Sequence, residues 1–100
     1  MKLKILITTL SLFTLTACAQ VGKPFPEQNV LAIKKGVTTK EEVRRLFGEP
    51  WRTGYEDGQQ TWTYGNYKYT VLGQKENSDL VIRFNEKDIV SSYSYSATKN

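Results

Sequence analysis

Histidine is absent from this 100-residue chain and cysteine occurs once. Without imidazole or a second thiol, the usual metal-ligand sets and Cys-His or Ser-His nucleophilic catalysis lack their parts. No glycine-rich loop ending in lysine is present to cradle a phosphate. Carboxylates remain as two adjacent pairs, Glu41/Glu42 and Glu56/Asp57. Neighbours in sequence do not converge on one site, and a helix cap and a turn account for both pairs. No catalytic residue, metal or cofactor is therefore expected. A strong charge of one sign is lacking as well: of 14 basic residues Lys2 and Lys4 lie at the extreme N-terminus, leaving 12 against 10 acidic ones. That balance gives no case for nucleic acid as a partner. Long apolar runs are limited to Ile5–Leu15, which Thr and Ser dilute and which is too short to span a bilayer.

What is present at the N-terminus is a basic start, that apolar run, and small residues before Cys18, the pattern of a secretory leader over residues 1–17. Leu15-Thr16-Ala17-Cys18 resembles the bacterial lipobox, in which the cysteine is acylated and the leader is cut before it. An ordinary leader with an incidental cysteine is the alternative, but it leaves a lone unpaired thiol unexplained. Several acyl chains at roughly 0.8 kcal/mol per buried CH₂ make such an anchor effectively permanent. Ala19, not Asp, follows the cysteine, so by resemblance to enterobacterial lipoproteins the expected location is the periplasmic face of the outer membrane. Residues 18–26, with Gly22, Pro24 and Pro26, read as a lipidated tether reaching on the order of 25 Å.

The folded domain is expected over residues 27–96. Val30, Leu31 and Ile33 suit a short helix over Glu27–Lys35, with Pro26 at its start and Gly36 at its end. The best-specified stretch follows. Thr38 or Thr39 can cap a second helix, with Glu41 or Glu42 closing a capping box. Arg44 and Arg45 suit its last turn, and Gly48 and Pro50 stop it. Val43, Leu46 and Phe47 form its apolar stripe. The two helices, joined at Gly36–Val37, form an αα-hairpin.

Strand patterns dominate after a loop at Trp51–Gly58 that can hold one short extended piece. Large residues stand at even positions in Thr61–Tyr64 and at odd ones in Tyr67–Val71. That slip calls for a bulge or a turn at Gly65–Asn66, and the bulge is favoured. Leu80–Phe84 alternates as a half-buried strand, Asn85–Asp88 is a tight turn into Ile89–Tyr95, and residues 96–100 are expected to fray. The predicted fold is α+β: two short helices on a three-stranded antiparallel sheet, a two-layer sandwich.

Aromatic residues exceed what so small a core can absorb, and Tyr and Trp suit surfaces that are apolar at one end and wet at the other. Cross-strand pairing accounts for most of them. Tyr67 and Tyr69, beyond the slip, together with Trp51 are the candidate partner-binding residues; Cys18 is the candidate lipidation site.

Gly36, Thr38, Val43, Gly48 and Pro50, followed by Trp62, Tyr64 and Phe84, resemble in order and spacing the SmpA/OmlA (BamE-like) family of small bacterial outer-membrane lipoproteins. The resemblance covers about two thirds of the chain. It implies a lipid-anchored, non-catalytic protein-binding scaffold that assists assembly of β-barrel outer-membrane proteins. Pro24–Asn29 departs from the family's Tyr-x-Gln-Gly-Asn stretch, so the fold transfers more directly than the partner. Two other readings stand beside it. One is an inhibitor-type module resembling the repeat of β-lactamase inhibitor protein, gripping its target with an aromatic-rich sheet face. The other is an envelope-modifying lipoprotein of a mobile element.

Overall fold

A computed structural model describes residues 18–73 and 75–99, so the expected leader, residues 1–17, lies outside the described residues. The stretch with the clearest local signals forms helix α1 (Lys40–Phe47). Thr39 is its cap: Thr39 Oγ1 accepts from Glu42 N at 3.2 Å, and Glu42 Oε1 accepts from Thr39 N at 3.0 Å. The helix stops at Gly48, whose positive φ of 85° suits glycine. Val43 and Phe47 are buried and Leu46 is packed at the margin of the core.

The expected first α-helix is instead a 3-10 helix over Glu27–Ala32. Val30 and Ile33, three apart, are both buried, which matches a three-residue turn, whereas Leu31 is 92% exposed. Ile33 is already extended, so the helix ends before Lys34 and Lys35. The link to α1 is stitched down: Gly36 N donates to Val90 O at 2.8 Å and Val90 N donates to Thr38 O at 2.9 Å.

The sheet has five antiparallel strands rather than three: β1 (Cys18–Gly22), β2 (Arg52–Glu56), β3 (Gln59–Thr70), β4 (Lys75–Phe84) and β5 (Val90–Lys99). The order is β1-β3-β4-β5, and β2 also pairs with β3. β1 and β2 therefore lie end to end along one side of β3: β2 opposite Gln59–Thr63, β1 opposite Asn66–Thr70. Residues 18–22 are thus part of the sheet, not a tether. Residues 96–99, expected to fray, continue β5 opposite Asp79–Glu76.

One face of the sheet takes the helices. Trp62, Tyr64, Leu80, Ile82, Phe84 and Val90 form the core with Val30, Ile33, Val43 and Phe47. Trp62 and Phe84 meet edge to face at 5.1 Å, and Phe47 lies 5.4 Å from Tyr64. The Tyr64 hydroxyl donates to Gly48 O at 2.8 Å, so a nearly fully buried core side chain also holds the end of α1. Asp88, at the end of the β4–β5 turn, has a positive φ of 62°; its backbone oxygen accepts from Lys40 N and its carboxylate pairs with Lys40 Nζ at 2.9 Å.

No bulge or turn interrupts β3. Its register against β4 runs unbroken from Gln60↔Phe84 to Tyr69↔Lys75. The change of phase at Gly65 is a change of face: Trp62 and Tyr64 point to the helices, Tyr67 and Tyr69 to the opposite side. The irregularity lies in β5, where Phe84 faces Val90 but Arg83 faces Ser92. The extra residue lets buried Val90 and partly buried Tyr93, of opposite parity, share the core face.

Candidate functional site

The free face of the sheet is mostly hydroxyl and charged side chains. Cross-strand partners share a face, which places Thr61, Thr63, Arg83, Ser92, Ser94 and Ser96 there. Arg83 pairs with Glu56 and its Nη1 donates to Ser92 Oγ at 2.7 Å. Arg83, Glu56 and Ser92 are engaged with one another, and the small hydroxyl side chains around them offer little apolar area to drive docking.

Where β2 gives way to β1 the surface changes. Between the two strands β3 is bridged by single hydrogen bonds, Trp51 N to Thr63 O and Lys23 N to Gly65 O, each 2.9 Å. Gly65 has no side chain to occupy the face at that point, and Trp51 and Tyr67 close over it with ring centroids 5.9 Å apart. A Cβ on Gly65 would lie 2.8 Å from the Tyr67 ring and 3.1 Å from the Trp51 ring, so glycine is what admits the pair. Gly22 is required for the same junction: its φ is +82° and a Cβ would lie 2.1 Å from Gly65 O.

Polar groups orient this aromatic pair. The Tyr67 hydroxyl donates to Asp79 Oδ2 at 3.4 Å, and Asp79 Oδ1 accepts from Ser96 Oγ at 2.9 Å. Burial first, then the Asp79 carboxylate, holds the Tyr67 hydroxyl neutral above its ordinary range. The Arg52 guanidinium lies 4.2 Å over the Trp51 ring, a cation–π contact of about 0.5 to 1 kcal/mol at such an exposed site. Val21, opposite Tyr67 in the register and 47% exposed, and Tyr69, 41% exposed, extend the patch toward the end of β3.

The structure therefore brings Trp51 and Tyr67 into contact and sets Tyr69 on the same face. Cys18 is the first residue of β1, with Thr70 as its Cα partner. Gly65, Arg52 and Val21 escaped the sequence reading. A glycine inside an aromatic strand was the available signal for the first; nothing local marks the others. Tyr93 and Tyr95 belong to the opposite face, where the Tyr95 hydroxyl donates to Glu27, and that hydrogen bond, ahead of burial, raises its pKa. Tyr55 stands apart, 77% exposed.

A polar cleft of about 260 Å³ lies beyond the helices on the core face, lined in part by Glu27, Asn66, Glu76, Ser78 and Ala97. Glu27 is engaged there by the hydroxyls of Ser78 and Tyr95 and serves as a strap between the 3-10 helix and the sheet. Among the described residues no group of three or more His, Cys, Asp or Glu side chains could hold a metal, and no helix is long and apolar enough to cross a membrane.

Compared with known families, residues 22–94 match the model of the outer membrane protein assembly factor BamE domain. No curated protein and no solved structure matches the chain. The matched span takes in β2 to β4 and the aromatic pair, and meets β1 only at Gly22.

Proposed function

The chain belongs to the BamE family of outer membrane protein assembly factor domains, and from that premise we propose that it is a non-catalytic, lipid-anchored scaffold of the outer membrane. In this reading Cys18 carries the acyl chains after removal of residues 1–17, and the domain sits on the periplasmic face. Trp51, Tyr67 and Tyr69 dock a protein partner, a component of the machinery that assembles β-barrel proteins. The observation that carries the reading is the Trp51–Tyr67 pair over Gly65, the aromatic interruption of an otherwise hydroxyl-rich sheet face. Aromatic side chains with a polar tip are the usual anchors of protein interfaces.

The inhibitor-type alternative calls for an aromatic-rich sheet face. Here the aromatic side chains of the free face are confined to the patch of Trp51, Tyr67 and Tyr69, and Thr61, Thr63, Ser92, Ser94 and Ser96 make the rest of it polar.

The test is recovery of the tagged, full-length protein from outer membranes of its own host in mild detergent, with co-purifying proteins identified by mass spectrometry. Stoichiometric barrel-assembly subunits are the expected result; a folded, membrane-bound chain recovered without them would reject the assembly role. Cys18→Ser is expected to abolish membrane fractionation, and normal outer-membrane recovery of that variant would reject the anchor.

A further inference from the structure

The β3–β4 hairpin tip carries the one adjacent pair of large, strongly exposed aliphatic side chains among the described residues, Val71 at 77% and Leu72 at 81%. Water is a poor environment for such a pair, and the turn holds it outward: Gly73 N donates to Thr70 O at 3.0 Å, and Gly73 has a positive φ of 85°. What surrounds the tip is specific. Tyr69 and Lys75 face each other across the hairpin on the free face of the sheet, and Lys68 lies on the opposite face across from Glu76; all four are exposed. An aliphatic tip backed by a lysine on each face is the order in which side chains meet a bilayer: hydrocarbon first, then snorkelling ammonium groups at the headgroups.

The position of Cys18, the proposed anchor, names the occupant. Its Cα partner is Thr70, the residue before Val71. β1 is laddered to β3 over five pairs, Cys18↔Thr70 to Gly22↔Asn66, so this end of β1 cannot swing away from the tip.

We propose that Val71 and Leu72 insert into the phospholipid surface beside Cys18, so that the sheet stands on the membrane by the end of the β3–β4 hairpin. This rests on the lipid anchor proposed above. Acyl chains on Cys18 give attachment, and the tip gives orientation: it fixes the Trp51–Tyr67 pair above the headgroups, with Tyr67 about 10 Å from Thr70 along β3 at roughly 3.3 Å per residue. A single flexible tether could not hold a partner surface at a set height.

The experiment uses the full chain processed in its host, as Leu72→Trp and, for comparison, Leu31→Trp on the exposed side of the 3-10 helix. Each is reconstituted in vesicles of phosphatidylethanolamine and phosphatidylglycerol with plain or brominated acyl chains. Both positions are exposed, and circular dichroism checks that the fold is kept. The mass of the N-terminal peptide reports acylation of Cys18 in the same samples. Loss of most of the added emission at position 72 in brominated vesicles, with none at position 31, is the expected result. Unquenched emission at position 72 of an acylated, vesicle-bound chain overturns the insertion while leaving the anchor standing, and points to a protein partner for the tip. An unmodified Cys18 refutes the anchor, and an unmodified chain that neither floats with the vesicles nor is quenched overturns the tip as well.

Discussion

Along β3 the first half, Gln59–Tyr64, runs between β2 and β4 beneath the helices, whereas the second, Gly65–Thr70, runs between β1 and β4 and is reached from the helical layer only through the Glu27 strap to Ser78. Trp62 and Tyr64 are nearly fully buried on one face; Tyr67 and Tyr69 emerge on the other. One strand thus spends its aromatic residues first on stability and then on the surface. The difference teaches that the same alternation can mean core or interface, depending on whether a second layer covers that stretch of sheet.

The sharpest way to break the comparison is to empty the first half's support. Phe47→Ala removes a buried ring that contacts Tyr64 and is expected to cost about 3 to 5 kcal/mol, read as a lower urea midpoint. A midpoint that barely moves would mean that the helix face is misplaced. Next in size, Gly22→Ala places a Cβ against Gly65 O in a backbone region that disfavours it, and is expected to cost about 1 to 3 kcal/mol. Its effect should be local: faster amide exchange in β1, with Leu80 and Ile82 still protected. Uniform loss of protection would show that the two halves unfold as one.

Smaller still is the hydroxyl of Tyr64. Burial above all, with the nearby Glu49 carboxylate adding to it, raises its pKa above the ordinary 10.0. A pKa raised on folding contributes stability that is full below the unfolded value and lost as pH rises toward and through the folded one. Stability should therefore fall as pH climbs above about 10, and Tyr64→Phe should flatten that limb. The variant also loses the hydrogen bond to Gly48 O, at about 1 kcal/mol near neutral pH. An unchanged alkaline limb would assign the titration elsewhere.

Much of the first half was legible in the sequence because its determinants are local. Thr39, Glu42 and Gly48 specify α1 within a few residues, and Val43 and Phe47 mark its buried face. β1 was not legible: its partners lie at Asn66–Thr70, and Gly22, Pro24 and Pro26 read locally as a tether. The phase slip at Gly65 was legible as a slip but not as a change of face, because a bulge and a change of face alter the alternation identically. A second slip stood in plain view between Val90 and Tyr93, yet Ser91 and Ser92 carry no face preference, so the real bulge went unmarked. Of the candidate site, Trp51, Tyr67 and Tyr69 could be named from residue type. Their convergence over Gly65 depends on two strands meeting end to end, which no short-range pattern encodes.

The most direct test compares the two halves of the same sheet face. Tyr67→Ala with Tyr69→Ala is set against Thr61→Ala with Thr63→Ala, and partner recovery from outer membranes is measured alongside melting temperature. The account predicts that both double variants stay folded at growth temperature and that only the tyrosine pair loses recovery, by at least about tenfold, or roughly 1.4 kcal/mol. Equal recovery from the two variants, each folded, would contradict it.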